Sequence, residues 1–106
     1  MRTVSASKLV DLVAAIVAGA GSAEPEARTV ARRLVDSNLV GHDSHGVLRV
    51  AKYVDWVRDG TLRPNTPPRV AFESDTIAII DGERGFGQVT GETATRLGIA
   101  KAKAKG

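Results

Sequence analysis

Both histidines of the chain lie in one stretch, Gly41-His42-Asp43-Ser44-His45-Gly46-Val47-Leu48-Arg49, and an arginine follows the second after four positions. Four is one helical turn, so a helix through this stretch makes His45 and Arg49 neighbours. An arginine fork takes a carboxylate through two parallel hydrogen bonds, and an imidazole beside it then lies near the atom on the adjoining carbon. That geometry suits a 2-keto or 2-hydroxy acid, with His45 giving a proton to the carbonyl oxygen in one direction and taking it back in the other. Ser44 has two possible jobs, orienting that proton through its hydroxyl or capping a helix. A helix N-terminus and Arg49 both disfavour the imidazolium, so a proton donor here calls for a carboxylate from elsewhere.

Other chemistries fit the stretch less well. His42-x-x-His45 has metal-ligand spacing, but no third or fourth ligand of zinc type stands out and the chain has no cysteine, so no metal is expected. Adjacent Ser44 and His45 do not define a hydrolase triad, and no nucleophile elbow is present. Gly82-x-x-Gly85-x-Gly87 follows a strand pattern and precedes a helix pattern, as a phosphate cradle does, but lacks the G-x-G-x-x-G order; it reads as a structural turn. No cofactor ligand can be assigned.

The elements that hold this stretch are legible in the periodicity. Length, with 42% hydrophobic and 25% charged residues over 106 positions, fits a single domain and little more. Ser5 or Ser7 caps a first helix with Leu9, Leu12, Val13, Ile16 and Val17 at spacings of three and four, ended by Gly19-Ala20-Gly21. Ser22 caps a second, with Pro25 in its first turn and a stripe of Ala27, Val30, Ala31, Leu34 and Val35. So short a turn between them predicts a helical hairpin. Asp43 or Ser44 is placed to cap a third helix running to about Asp59, with Val47, Val50, Ala51, Val54 and Val57 facing the core and His45, Arg49, Lys52 and Trp56 facing away. A tryptophan among cations on an outward face is either a lone exposed aromatic or a surface that a ligand or more protein covers.

After a proline-rich loop, 61–68, two short strands are expected at Arg69–Glu73 and Thr76–Asp81 around Ser74-Asp75. A last helix follows from about Gln88, with Val89, Thr93, Leu97 and Ala100 on one side. The fold class is therefore α+β: a mostly helical domain of a helical hairpin and third helix, with a short β-hairpin and a final helix. Net charge is +3, with basic clusters at Arg28, Arg32 and Arg33 and at Lys101, Lys103 and Lys105; neither is interleaved with stacking aromatics, so nucleic acid is an unfavoured partner. No stretch reads as a secretory signal or a membrane span, which places the chain in the cytoplasm.

From Gly41 to Arg49 the sequence resembles the malate/L-lactate dehydrogenase-like family, non-Rossmann NAD(P)-dependent oxidoreductases acting on 2-hydroxy acids. Tyr53, Gly60, Pro64, Pro67-Pro68-Arg69-Val70, Asp81-Gly82 and Gly85-x-Gly87-Gln88 fall in the family's order, so the resemblance covers essentially the whole chain. It implies a relay through Ser44, proton donation by His45, carboxylate binding by Arg49, NAD or NADP as cofactor and a homodimer. It also implies that residues 1–106 are the N-terminal portion of a larger enzyme, that the cofactor-binding region and the relay's acidic partner lie beyond them, and that the chain alone is inactive. The rival expectation is a non-catalytic interaction module whose Trp56 face binds protein or whose basic ends bind nucleic acid.

Overall fold

A computed structural model describes residues 2–106. Helices α1 (Ala6–Gly19) and α2 (Glu24–Leu39) pack as the expected hairpin, two 3-10 turns (Asp43–His45 and Val47–Arg49) lead into α3 (Val50–Arg58), strands β1 (Arg69–Glu73) and β2 (Ala78–Asp81) pair, and α4 (Gly87–Lys105) closes the chain. The α+β class, mostly helical with one small hairpin, is as expected.

The core lies between α1 and α2. All five stripe residues of α2 are buried, and Ala27, Val30, Ala31 and Leu34 cluster with Val13, Ala14 and Val17 of α1, with Val50 and Phe86 completing the cluster. Small side chains let the two helices approach closely, which compensates for so few aromatics. Two expected core positions of α1, Leu12 and Ile16, are instead 58% and 40% exposed. The α1 stripe is wider than the face α2 covers, so its flank stays open.

Capping follows the expectation at Ser5, whose hydroxyl accepts the Lys8 N–H, but not at Ser22. The α2 N-cap is Ala23, and the buried Ser22 hydroxyl donates to the Glu26 carboxylate instead. The orphan Ala23 N–H is satisfied from far along the chain by the Asn65 side-chain oxygen at 2.7 Å. Asn65 also donates from its amide to the Gly21 carbonyl and from its backbone to Glu26, both at 2.8 Å, in a left-handed conformation at φ 61°. This one residue pins the proline-rich loop to the α1–α2 turn.

Strands β1 and β2 are antiparallel, with Arg69 opposite Asp81, Phe72 opposite Ile79 and a bulge between Val70 and Phe72. The second strand begins at Ala78, two residues later than expected, because the Ser74 N–H bonds the Ile77 carbonyl and the turn uses four residues. Ala78 and Ile80 face α4, while Phe72, Ile77 and Ile79 lie more than half exposed. On α4, Val89 and Leu97 are half-buried as expected, but Thr93 and Ala100 are exposed. Lys101, in the second basic cluster, reaches Glu73 at 2.9 Å and the Ser74 carbonyl, and Lys105 pairs with Asp75 at 3.5 Å. These lysines fasten the hairpin to α4.

Candidate functional site

The stretch that holds the candidate site residues does not continue α3 backward. Asp43 and Ser44 cap no α-helix: the backbone makes one 3-10 turn at Asp43–His45, becomes extended at Gly46 (φ −94°, ψ −153°), and makes a second at Val47–Arg49 before α3 begins at Val50. The cause lies on α2. The Asn38 side-chain oxygen accepts the Val47 N–H at 2.9 Å, and its amide donates to the Asp43 carboxylate at 2.8 Å, drawing both away from helical capping. Of the expected core face, Val50 is buried and Val47 and Val57 are packed on the core, but Ala51 is exposed. The helical projection began one and a half turns too early.

His45 and Arg49 nevertheless come together. Both line a cleft of about 390 Å³ whose other walls are Tyr53 and Trp56 of α3, Arg33, Leu34 and Ser37 of α2, and Gln88 of α4. The Ser44 hydroxyl lies 2.9 Å from His45 Nδ1, so Nε2 is the ring nitrogen left free of that contact. The Arg49 side chain curls back over the turn, its Nε donating to the Ser44 carbonyl at 2.8 Å. That anchor uses one of five donors and leaves the terminal nitrogens, the pair that forms a fork with a carboxylate.

The aromatic wall is built rather than accidental. Trp56 is half-buried, stacks on Tyr53 at 5.9 Å between ring centroids and takes the Lys52 ammonium 5.7 Å from its ring centre. Trp56 is thus not a lone exposed aromatic, and Lys52 is not among the residues that line the cleft. Tyr53 sets its edge against the buried Phe86 and accepts a hydrogen bond from Gln88 at 3.0 Å. Tyr53, Trp56 and Gln88 also wall a second, adjoining cleft of about 480 Å³ bounded by Leu62, Phe86 and the glycines at 85 and 87. Reading sequence alone gave no site role to Arg33, Ser37, Tyr53 or Gln88. Tyr53 and Gln88 stand among the positions that carry the family resemblance, and Arg33 in a basic cluster.

Arg33 reaches Glu92 of α4 at 3.5 Å and Asp36 at 3.8 Å, holding a cation at the rim where α2 meets α4. His42 and His45 pack ring to ring at 4.2 Å, and among the described residues no group of three or more metal-ligating side chains forms around them. Nor does the glycine turn offer a phosphate cradle. Its Gly85 N–H bonds the Gly82 carbonyl, and a Cβ at Gly85 would come within 2.6 Å of the Thr66 carbonyl, so this glycine is required by the chain's own packing. Glu83 and Arg84 take the two left-handed positions of that tight turn.

The likeness to known proteins has the same extent as the fold. A sequence model of the family described as malate/L-lactate dehydrogenase matches residues 4–106. Hydroxycarboxylate dehydrogenase B of Escherichia coli O157:H7 is 39% identical over 101 residues, covering 95% of this chain and 28% of that protein. The crystallised malate dehydrogenase from Pyrococcus horikoshii superposes with a TM-score of 0.93 at 36% identity, covering 99% of this chain and 30% of that one. Sulfolactate dehydrogenase from Methanocaldococcus jannaschii gives 0.89 at 33% identity, with 93% and 29% covered. The chain therefore spans under a third of the length of these relatives, and over that span, in sequence and in fold, it belongs to the malate/L-lactate dehydrogenase family.

Proposed function

We propose that this chain supplies the proton donor and the carboxylate-binding group of an oxidoreductase that moves a hydride between NAD or NADP and a 2-hydroxy or 2-keto acid such as malate or lactate. The observation that carries the reading is the meeting of His45 and Arg49 in one cleft with the Ser44 hydroxyl 2.9 Å from His45 Nδ1. Arg49, anchored through Nε, grips the substrate carboxylate with its terminal nitrogens. The Ser44 hydroxyl, donating to Nδ1, holds the imidazole with its proton on Nε2. His45 then delivers the Nε2 proton to the carbonyl oxygen of a 2-keto acid while Nδ1 takes up the Ser44 hydroxyl proton, so the ring stays neutral and the relay's acidic partner returns a proton to Ser44; the reverse direction runs the same transfers backward. The aromatic wall of Tyr53 and Trp56 excludes water from one side of that transfer.

We assign no dinucleotide contact to the glycine turn, where Gly85 packs against the Thr66 carbonyl and its N–H bonds the Gly82 carbonyl. The cofactor is assigned to residues outside 1–106, as is the acidic partner of the Ser44–His45 relay; Asp43, the nearest carboxylate in sequence, is held by Asn38. A homodimer, as the family resemblance implies, and a cytoplasmic location complete the proposal. No helix among the described residues is long and apolar enough to cross a membrane. The interaction-module reading has one observation in its favour, the exposed Phe72, Ile77 and Ile79 of the hairpin, whereas a nucleic-acid surface at the C-terminal lysines is disfavoured by their engagement with Glu73 and Asp75.

The test is direct. Purified residues 1–106 mixed with NADH or NADPH and a panel of 2-keto acids should show no turnover, and a full-length enzyme carrying this segment should. Turnover by the short chain would break the assignment of the cofactor to other residues. Retention of full activity after His45→Gln in the long enzyme would remove the proton donor from the scheme.

A further inference from the structure

We infer that Asn38, which does not line the cleft, is the positioning residue that sets the spacing of His45 and Arg49; the inference rests on the roles proposed for those two residues. Two 3-10 turns separated by one extended residue have no continuous hydrogen-bond ladder to fix their mutual orientation. One link is internal, the Arg49 Nε bond to the Ser44 carbonyl at 2.8 Å, but it hangs on a flexible side chain; the other comes from outside the turns. The carboxamide of Asn38 holds the first turn through the Asp43 carboxylate and the second through the Val47 N–H, at 2.8 and 2.9 Å. Both bonds come from one planar group on the last turn of α2, a helix whose Leu34 and Val35 are fully in the core, so the clamp is referenced to the most rigid part of the chain. Gly46 lies between the clamped points and is buried, and a Cβ there would overlap the Asn38 side chain. The glycine of Ser-His-Gly is thus the space into which Asn38 fits.

The consequence is catalytic rather than merely structural. His45 must meet the carbonyl oxygen while Arg49 holds the carboxylate of the same small molecule, so a displacement between the turns separates the two contacts. Misplacement by about 1 Å is enough for losses on the order of 100-fold.

In a full-length enzyme carrying this segment, Asn38→Ala should lower kcat/KM for a 2-keto acid by about 10- to 100-fold. Gly46→Ala, which evicts the same carboxamide, should cost a similar factor, and the double variant no more than the larger single loss, because both changes remove one clamp. In an Arg49→Lys background the Asn38→Ala loss should shrink to less than about threefold, since the geometry it protects is already spoiled. A general weakening of the fold would multiply with Arg49→Lys instead, and that result overturns the inference. So does an Asn38→Ala enzyme within twofold of the parent while His45→Gln and Arg49→Ala are crippled. If those two variants are themselves fully active, the proposed function falls and this inference with it. Should Asn38→Ala fail to fold, Asn38→Asp keeps the acceptor for Val47, replaces the donor to Asp43 by a repelling carboxylate, and carries the same comparisons. On residues 1–106 alone, Asn38→Ala should speed hydrogen exchange at the Val47 amide at least tenfold while α1 and α2 amides are unchanged; equal protection at Val47 refutes the clamp.

Discussion

Replacing Arg49 by lysine keeps the charge and removes the fork. In the structure the guanidinium divides its donors: Nε holds the Ser44 carbonyl at 2.8 Å and the terminal pair is left for a ligand. A lysine ammonium at this site cannot keep the Ser44 anchor and meet a carboxylate through two parallel bonds at once. One charge-assisted bond is lost, worth about 1.5–3 kcal/mol, and each 1.36 kcal/mol is a factor of ten. Arg49 is half-buried rather than enclosed, which favours the lower part of that range. The expected loss in kcat/KM for a 2-keto acid is therefore roughly 10- to 30-fold in a full-length enzyme. The decisive control is the substrate. A 2-keto amide, which lacks the carboxylate, should be reduced by parent and variant at rates within about threefold of each other, because the lost bond was never made. Steady-state kinetics with the matched acid and amide settle the matter. An equal loss on both substrates would show that Arg49 serves the turn and not the carboxylate, and no loss on either would remove it from the site.

Two further predictions concern the frame around the cleft. Asn65→Ala loses two side-chain bonds and leaves an alanine at φ 61°, and should destabilise residues 1–106 by about 2–3 kcal/mol in urea unfolding, with Asn65→Gly recovering about 1 kcal/mol of that through glycine's freedom at positive φ. Equal stability of the two variants would mean that backbone conformation contributes nothing there. Asp59, at the end of α3, is held below its ordinary value of 3.8 by hydrogen bonds from the Thr61 hydroxyl and backbone N–H. A folded-state value below the unfolded one contributes stability that is complete above the unfolded value and is lost as pH falls through the folded value. Unfolding midpoints of the parent should therefore drop relative to Asp59→Asn only below about pH 4, and parallel curves through that range would contradict the assignment.

Much of this protein can be read from one string of letters. Helix α2 was determined outright, because Ala27, Val30, Ala31, Leu34 and Val35 repeat at helical spacing and small residues leave one way to bury them. The β1 strand, the glycine turn and the start of α4 followed from local chemistry of the same kind, and the spacing of His45 and Arg49 motivated the proton-transfer and carboxylate-binding roles proposed for them. What the sequence could not determine was everything that depends on a partner far along the chain. Projecting a helix back to Asp43 was reasonable from residue types, but a side chain on α2 competes for Asp43 and for the Val47 N–H and splits the segment into two turns. Ser22 does not cap α2, its hydroxyl donating to Glu26 instead, and Asn65, 42 residues from Ala23, takes the N-cap amide. The cleft itself joins side chains of α2, the turns, α3 and α4, and no periodicity records that Arg33, Tyr53 and Gln88 face His45 and Arg49 across it. Local spacing fixes which residues share a face, whereas long-range hydrogen bonds and packing decide where that face points, and the site exists only where both agree.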